Sequence, residues 1–438
     1  MDLDDFDTFR IATCDLNGQM RGKRMPQKDQ GKLASGDLRM PLSVLNVDIW
    51  GADIANSPLL FASGDGDGYL LPTNRGPVPM PWLDQPSALV GMWMFEEDGR
   101  PFEGDPRHAL AQILDCYAAR GWQVVAATEL EFYLIDDSAE SPRPPKDPAS
   151  NRKIDSSAIL SLQQLDAFEA FFSELYQSCA QMGINAQAAS SEAGIGQFEI
   201  SLQHGDALRI ADDTWLFKTL LKGVARKHGY AASFMAKPYP NDAGNGLHLH
   251  FSVLDEAGEN IFDDGTKQGS PLLQNAVAGC LATMRAATLG FAPHANSYAR
   301  MDPENHAPTS ICWGYENRTA ALRIPAGAPS ARRIEHRVAG GDINPFLTLS
   351  LILGAALLGI EDDLTPPPPI TGNAYSQDLP QLIHSWSDAI DMFENDPIVA
   401  RILPAQLIEN FSLTKRQELD GLKNIPQEEH WKTYLETV

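Results

Sequence analysis

A pair of glutamates on a predicted core strand limits how this chain can fold. Residues 124–135, VVAATELEFYLI, are rich in β-branched and aromatic residues and contain few residues that break a strand. Because side chains alternate along a strand, the leucines and phenylalanine share one face, and Glu129 and Glu131 share the other. Unpaired carboxylates are costly to bury. This face therefore needs either a positive partner or contact with water, and the stretch alone leaves both open.

Three further strand-like segments divide in the same way into an apolar face and a polar face. They are GQFEIS (196–201), GNGLHLHFSV (244–253) and RRIEHRVAG (332–340). The polar residues are Gln197, Glu199 and Ser201 in the first, His248, His250 and Ser252 in the second, and Arg333, Glu335 and Arg337 in the third. One such strand is unremarkable, but four indicate a sheet whose polar side chains meet at a common cavity.

Six side chains in and near these segments suit hard divalent cations, because they offer mostly oxygen ligands, one imidazole and no thiolate. They are Glu129, Glu131, Glu192, Glu199, His248 and Glu335. Bound metal ions would neutralise the paired glutamates of the first strand. The sequence therefore predicts divalent metal ions on the polar side of the sheet.

Arginines follow these candidate ligands in the sequence. NRTAALRIP (317–325) contains Arg318 and Arg323, whose spacing of five excludes a shared strand face, so we expect Arg318 in the turn before the strand. With Arg333 and Arg337 they supply the positive charge that phosphoryl transfer needs on a nucleotide. A structural network of arginine–glutamate pairs remains the alternative. The sequence contains no P-loop motif.

Composition restricts the class of protein. The chain has 438 residues, 43% of them hydrophobic, and a net charge of −24, which disfavours non-specific binding to nucleic acid or anionic lipid. The acidic N-terminus lacks the apolar segment of a signal peptide, and the longest apolar run, 346–360, is short for a bilayer span. Five isolated cysteines predict buried free thiols. We therefore predict a soluble, cytoplasmic protein without nucleic-acid or membrane partners.

The chain divides into two predicted domains, residues 1–104 and 105–438. The first part is rich in glycine and proline and has short strand-like runs such as FRIATCDL and SVLNVDIW. A helix is predicted from Pro106 to Gly121, and beyond it helices alternate with isolated strands. Further helices are predicted at 163–182, 213–229, 271–289 and 346–360, with a polyproline-type connection at 362–375 and helices near the C-terminus.

The order of motifs between residues 129 and 346 resembles the glutamine synthetase family. The motifs are ELEF, EAGIGQFEI, KPYPNDAGNGLHLHFS, NSYARM, ENRTAALRIP and RRIEHRVAGGDINPFL. Each is weak alone, and the six in order are specific. DLNGQMRGKRMP resembles, more loosely, the family's small β-grasp domain. The resemblance implies an α+β fold with an N-terminal β-grasp domain and a large catalytic domain, in which helices cover a curved antiparallel active-site sheet.

The resemblance also implies an ATP-dependent ligase with two or more Mg²⁺ or Mn²⁺ ions in each site. The γ-carboxylate of L-glutamate attacks ATP to give γ-glutamyl phosphate and ADP, and an amine then displaces phosphate. Carried over by motif, the ligand sets are Glu131, Glu192 and Glu199 for one ion, and Glu129, His248 and Glu335 for the other. The first ion lies beside glutamate and the amine, and the second lies on the ATP phosphates.

The family motifs imply roles for the other polar residues. Arg318 and Arg323 clamp the moving phosphoryl group and the polyphosphate, and His250, Ser252 and Arg333 contact the nucleotide. His248 and His250 also fit a structural interpretation as core histidines. Their place beside GNG, which lets backbone approach a ligand closely, favours the functional interpretation.

Glutamate and the amine complete the implied site. Arg300 and Arg337 would bind the carboxylates of glutamate, close to the backbone at Gly244. Asp48, in LNVDIWGAD, resembles the aspartate that receives and deprotonates the incoming nitrogen. The family builds its sites between neighbouring subunits, which implies a homo-oligomer, a dodecamer of two hexameric rings. The N-terminal domain of one chain would then close the site of the next.

The sequence departs from ammonia-using members of the family. His306 stands where a flap glutamate helps to form an ammonium pocket, Glu304 is two residues out of register, and Ala243 replaces a substrate-contacting asparagine. WGYENRTAALRIP also resembles the branch that ligates glutamate to organic amines. We therefore predict a γ-glutamyl–amine ligase for a polyamine or a monoamine. A glutamine synthetase that uses ammonia and a catalytically silent scaffold are the alternatives.

The sequence leaves the roles of three aromatic residues undecided. Trp50 and Trp313 line a wider nucleophile pocket or are ordinary core aromatics, and the sequence does not separate these interpretations. Tyr375 falls near the family's nucleotidylation tyrosine, but its flanking residues differ, so we do not predict modification.

Overall fold

A five-stranded sheet occupies the N-terminal part of the chain. The computed structural model describes residues 3–60, 62–139, 141–303 and 307–438. The strands are β1 (Thr8–Cys14), β2 (Met20–Pro26), β3 (Arg39–Pro41), β4 (Asp67–Pro79) and β5 (Ser87–Phe95). Their order is β2-β1-β5-β4-β3, with β1 and β5 parallel and the other pairs antiparallel. This mixed sheet is consistent with the predicted grasp-like N-terminal fold.

A larger sheet occupies the middle of the chain. In the described residues its strands are β6 (Gln123–Ile135), β7 (Ala186–Ser191), β8 (Gln197–Leu202), β9 (Gly205–Asp206), β10 (Ala231–Ser233), β11 (Leu247–Leu254), β12 (Trp313–Tyr315), β13 (Leu322–Ile324) and β14 (Ile334–His336). The main order is β12-β13-β14-β11-β6-β8-β7, and β9 and β10 pair with β6. Its described pairs are antiparallel except the parallel edge pair β12–β13, so the prediction of an antiparallel sheet is confirmed apart from that edge.

Helices supply the remaining regular structure. The described α-helices are α1 (Lys32–Ser35), α2 (Pro106–Ala118), α3 (Leu162–Ala167), α4 (Glu169–Met182), α5 (Ala207–Lys227), α6 (Pro271–Met284), α7 (Thr288–Phe291), α8 (Ser297–Arg300), α9 (Pro345–Glu361), α10 (Trp386–Asn395), α11 (Pro397–Ala400), α12 (Ala405–Leu422) and α13 (Trp431–Tyr434). The predicted helices at Pro106 and 346–360 are confirmed, and each begins with proline after a capping Asp105 or Asn344. Across the described ranges, no helix is both long and apolar enough to cross a bilayer.

Several predicted boundaries were wrong for local reasons. The helix expected at 163–182 is interrupted at Phe168, and the one expected at 213–229 begins earlier, where the Asp206 side chain caps α5. SVLNVDIW is not a strand, because Leu42–Leu45 form a 3₁₀ turn and Asp48 closes the next turn through two backbone N–H groups. Cys116 is exposed, although the other four cysteines are buried as predicted.

One apolar core joins both sheets to the helices. The apolar side of β6, including Leu130, Phe132 and Leu134, is fully buried beneath α2 and α5. Residues of β1 and β5 belong to the same cluster, so the N-terminal sheet packs against the rest of the chain. The predicted boundary at residues 104 and 105 stays a prediction. Because the helices cover the apolar side of the nine-stranded sheet, the opposite side is available for a site.

Candidate active site

Strand register brings the polar side chains of three strands side by side. Glu129 of β6 lies opposite His248 of β11, and Glu131 lies opposite Glu199 of β8. Directly opposed residues on neighbouring strands point to the same side of a sheet. These four side chains therefore share one face, and the alternation predicted from the sequence is confirmed. We call this side, which also carries His250, Ser252 and Glu335, the polar face.

The polar face continues across β14 to β13. Glu335 lies opposite both His250 of β11 and Arg323 of β13. Arg323 Nη1 donates to Glu335 Oε2 at 2.8 Å, and Arg337 donates to the other carboxylate oxygen. Burial alone raises the pKa of Glu335, but Arg337, the two histidines and Arg323 together lower it below its ordinary value. Glu335 is therefore a buried, ionised carboxylate at the centre of this part of the face.

Two groups of side chains on the polar face are close enough to hold metal ions. They are Glu129, Glu199 and His248, and Glu129, His250 and Glu335, and within each group one ligand atom per residue lies within 4.8 Å of the others. Glu129 belongs to both, because its Oε2 lies 3.1 Å from His248 Nδ1 and its Oε1 lies 3.1 Å from His250 Nε2. Burial raises the pKa of Glu129, but the two histidines lower it far below its ordinary value.

The neighbouring carboxylates lack comparable compensation. Burial and then Glu131 raise the pKa of Glu192 to about 7. Burial, Glu129 and Glu131 raise the pKa of Glu199 to about 9. Carboxylates that share a site disfavour one another's ionisation, and a divalent cation removes that repulsion. The donor set of carboxylate and imidazole groups therefore fits hard divalent metal ions.

A glycine keeps space open between Glu131 and an arginine. Glu131 Oε2 accepts hydrogen bonds from the Gly246 N–H at 2.7 Å and from Gln197 Nε2 at 3.4 Å. A Cβ atom at Gly246 would lie 2.9 Å from Arg300 Nη2 and 3.3 Å from Glu131 Oε1. Glycine at this position therefore lets a guanidinium and a carboxylate approach one small niche. Gln197 has no role in the sequence predictions, although the strand alternation places it on the same face.

Arg300 reaches this niche from α8. It is 5% exposed, and its Nη1 donates to the Val338 carbonyl at 2.8 Å. A Cβ atom at Gly244 would lie 2.7 Å from Arg300 Cγ, so glycine is required there for the arginine to pass. Burial lowers the pKa of Arg300, and Glu131 opposes that effect. Arg300, Gly244 and Glu131 are thus brought together, whereas their roles stay predictions.

A cavity of about 590 Å³ opens beside Glu129. Its lining includes three predicted nucleotide contacts, His250, Ser252 and Arg333. Arg333 Nε donates to His250 Nδ1 at 3.2 Å, which fixes both side chains at the cavity wall. Gln187 and His204 also line the cavity and were not predicted; the available signal for His204 was its position just after β8. The volume is in the range of small-ligand pockets.

Two residues with predicted roles in the site lie outside the strands of the polar face. Arg318 is exposed in the turn before β13, as predicted, and its charge acts on Glu192. Asp48 is buried in the N-terminal part of the chain, where its carboxylate accepts two backbone N–H groups and Gln417 Nε2 at 2.8 Å. These contacts tie Asp48 to its own turn and to α12. Its predicted role in a neighbouring subunit stays a prediction.

The sequence also relates Trp313, Trp50 and the flap residues Glu304 and His306 to the amine pocket. Trp313 is 2% exposed and donates through Nε1 to the Pro367 carbonyl at 2.7 Å, so it is a core residue. Trp50 is 43% exposed and borders a different cavity, beside α13. Residues 304–306, which include Glu304 and His306, lie outside the described residues.

Comparisons with known proteins identify relatives of the whole chain. The family model described as glutamine synthetase, catalytic domain, matches residues 103–434. The chain is 35% identical to gamma-glutamylputrescine synthetase of Escherichia coli (strain K12) over 414 residues, which cover 93% of this chain and 87% of that protein. It is 31% identical to glutamate–isopropylamine ligase of Pseudomonas sp over 443 residues, which cover 99% and 95%.

A solved structure extends the similarity to the fold. The GmaS/ADP complex superimposes with a TM-score of 0.84 at 28% sequence identity, over 98% of this chain and 97% of that one. The family match covers most of the chain, and the relatives align along nearly its full length. On these grounds, together with the motif order and the geometry of the polar face, the chain belongs to the glutamine synthetase family.

Proposed function

We propose that the chain is an ATP-dependent ligase that joins the γ-carboxylate of L-glutamate to an organic amine and releases ADP and phosphate. The observation that carries this proposal is the meeting of carboxylates, imidazoles and arginines on one polar face beside a cavity of suitable size. Two relatives are named for putrescine and isopropylamine, which supports an organic amine as the nucleophile. Membership of the family supports the use of ATP and divalent metal ions.

The six residues that the sequence predicts as metal ligands are proposed to bind the metal ions. Four of them and His250 form the two groups of close donor atoms, while Glu131 and Glu192 act on Glu199 and on each other through charge. Bound Mg²⁺ or Mn²⁺ would supply charge neutralisation between these carboxylates and the ATP phosphates. Glu129 stands between the groups, so we propose that it couples their occupancy.

Nucleotide binding is assigned to side chains around the cavity. His250, Ser252 and Arg333 line one wall of it and would contact ATP. Arg323 is fixed by its bond to Glu335, so its positive charge is already positioned next to the polar face. Arg318 lies exposed in the adjacent turn. The two arginines would stabilise the charge that develops on the transferred phosphoryl group.

Glutamate and the amine would bind next to the nucleotide. Arg300 and Arg337 are proposed to hold carboxylates of glutamate, since both arginines are buried, Arg300 beside Gly244 and Arg337 against Glu335. The γ-carboxylate attacks ATP, and the amine then attacks the γ-glutamyl phosphate and displaces phosphate. We propose that Asp48 of a neighbouring subunit takes the proton from the amine. This requires a homo-oligomer, which we propose to be cytoplasmic and a dodecamer of two hexameric rings in which residues 1–104 close the next subunit's site.

A panel of nucleophiles tests the proposal. Purified protein with L-glutamate, ATP and Mg²⁺ is given putrescine, isopropylamine, ethanolamine or ammonium, and phosphate release and product mass are measured. We expect at least one amine to exceed ammonium in kcat/KM by about tenfold or more, since pocket contacts to a carbon chain give this order of discrimination. The highest kcat/KM with ammonium would instead identify a glutamine synthetase. Absence of ADP with every nucleophile would identify a catalytically silent relative.

Two variants separate chemistry from assembly. Glu131→Ala and Arg337→Ala remove a proposed metal ligand and a proposed glutamate ligand, and neither residue belongs to the contacts between the N-terminal sheet and α12. We expect both variants to lose turnover while their oligomeric state by light scattering equals that of the wild type. Turnover near the wild-type value in either variant would contradict its assigned role.

A further inference from the structure

The connection between α9 and α10 brings a tyrosine to the edge of the polar face. Asn317 Nδ2 donates to the Gly372 carbonyl at 2.8 Å, and the Ala374 N–H donates to Thr319 Oγ1 at 2.9 Å. These bonds hold a short 3₁₀ turn, Ala374–Ser376, alongside the turn that carries Arg318. Tyr375 is the central residue of that turn.

The same turn adjoins the backbone of one proposed glutamate ligand. The Arg337 N–H donates to the Ala321 carbonyl at 3.0 Å, and the preceding Ala320 packs with Ala374 in a small buried cluster. Burial raises the pKa of Tyr375, whereas the charges of Arg337 and Arg300 oppose that effect. The phenol therefore lies within electrostatic reach of both guanidinium groups.

Two donors in this region lack acceptors in the described part of the chain. The Tyr375 hydroxyl is covered and has no hydrogen-bond partner in the described part of the chain, and the same holds for Arg337 Nε. Buried polar groups are nearly always satisfied, so an unsatisfied one beside a site indicates a partner supplied from outside the chain. Two cationic side chains and a neutral donor together select an anion with several acceptor oxygens, such as a carboxylate.

We propose that the Tyr375 hydroxyl donates a hydrogen bond to the carboxylate that Arg300 and Arg337 bind, and so acts as a glutamate-binding residue. The inference rests on the proposed function for the identity of that ligand. Tyrosine adds a directional, uncharged donor to the two arginines, which favours a planar carboxylate in one orientation. The remaining source of the same chemistry is the phosphate that the reaction releases, and the test below distinguishes the two.

Tyr375→Phe removes the hydroxyl and keeps the ring. We expect its KM for L-glutamate to rise about tenfold, the size of one lost hydrogen bond to a charged group, with kcat and the KM for ATP within about twofold of wild type. Tyr434→Phe is the matched control, because that hydroxyl is also covered but its ring packs against His294, 5.1 Å away between centroids. We expect the control variant to keep the wild-type kcat and KM values. An unchanged KM for glutamate in Tyr375→Phe, or weaker inhibition by inorganic phosphate alone, would overturn the assignment.

A binding measurement separates this inference from the proposed function. Calorimetric titration of the full-length wild type and Tyr375→Phe with L-glutamate, and with glutarate as a dicarboxylate without an amino group, needs no turnover. Lower affinity for L-glutamate in the variant, with an unchanged unfolding midpoint, supports the assignment even where the amine panel yields no product. Equal affinity in both proteins, or no binding to the wild type, overturns it.

Discussion

Two regions of the molecule bury charged side chains and compensate them differently. In the first, Lys415 of α12 donates to Glu418 Oε2 at 2.9 Å, and Asn17 Nδ2 donates to Glu418 Oε1 at 2.8 Å. Lys415 and Glu418 are both 0% exposed at the side chain. Each charge of this pair, which we call the α12 ion pair, meets an opposite charge or an amide, and the pair ties the N-terminal part of the chain to α12.

The polar face is the opposite case. Arg323 and Arg337 both bind the same glutamate, Glu335. Burial together with the charges of Glu129 and Glu131 raises the pKa of both Glu192 and Glu199. Buried charge is therefore tolerated by the fold where it is compensated within the chain, whereas uncompensated charge is typical of a site that a ligand completes.

The largest expected effect is the loss of turnover in Glu199→Gln, which keeps the size of the side chain and removes its charge. If the excess charge of the polar face serves catalysis, kcat falls on the order of 10³-fold, because metal-assisted stabilisation of phosphoryl transfer is lost. Steady-state release of ADP measures this. Glu97→Gln, at an exposed pair with Arg39, is the control and keeps full activity. Turnover of Glu199→Gln within tenfold of wild type would contradict this role.

Lys415→Met tests the α12 ion pair. It leaves Glu418 buried without its cation, so we expect the free energy of unfolding to fall by about 3–5 kcal/mol. Urea unfolding followed by fluorescence measures the change. The double variant Lys415→Met/Glu418→Leu, which replaces the pair by apolar side chains, is expected to recover most of that loss. A single variant as stable as the wild type would show that the buried carboxylate of Glu418 does not depend on Lys415 for compensation.

The two regions also differ in how far the sequence predicts them. Alternation along β6 is a local property, so the separation of Glu129 from Leu130 could be predicted from the sequence. Register between distant strands is not local, and this is why the sequence did not show that Glu335 lies opposite both His250 and Arg323. The strand that carries Glu335 has three residues, too few for a periodic pattern.

Other features depend on tertiary contacts that leave no sequence pattern. Lys415 and Glu418 lie three apart on α12, a spacing that is ordinary on an exposed helix face, and only packing against Asn17 buries them. Tyr375 lies in a proline-rich connection whose path is set by bonds to Thr319 and Asn317. The run around Val47 has strand composition, but the carboxylate of Asp48 closes a turn there.

A smaller effect is expected at the cavity beside the polar face. Arg333→Ala removes a guanidinium from the cavity wall together with its bond to His250. We expect the KM for ATP to rise about tenfold, since one charge-assisted contact is lost, while the KM for glutamate is unchanged. The control is Arg143→Ala, a half-exposed arginine paired with Asp136. Equal increases in both KM values would show that Arg333 acts through the fold of the site.

The smallest expected effect is a gain in stability of the metal-free protein. The pKa of Glu199 is raised from 4.5 to about 9 in the folded chain, so between these values the folded state holds a proton that the unfolded state has lost. Stability is therefore greatest at the acid end of this window and falls as pH rises through it. Glu199→Gln removes this titration and is expected to be more stable by about 1 kcal/mol near pH 9.

Thermal unfolding between about pH 6 and pH 9 measures this slope, with chelator present throughout. We expect Glu199→Gln to show a flatter dependence than the wild type, and Glu97→Gln to keep the wild-type slope because its carboxyl is fully exposed. Identical slopes in all three proteins would mean that Glu199 is not subject to the repulsion inferred from its neighbours.

The most direct test of the excess charge on the polar face is calorimetric titration of the metal-free protein with Mn²⁺ in the presence of ADP. The two donor groups predict saturable binding of at least two ions per chain, accompanied by a higher unfolding midpoint. Because Glu129 belongs to both groups, Glu129→Ala is expected to weaken both binding events. Absence of saturable binding, or the same affinity and stoichiometry in Glu129→Ala and the wild type, would contradict a metal centre on this face.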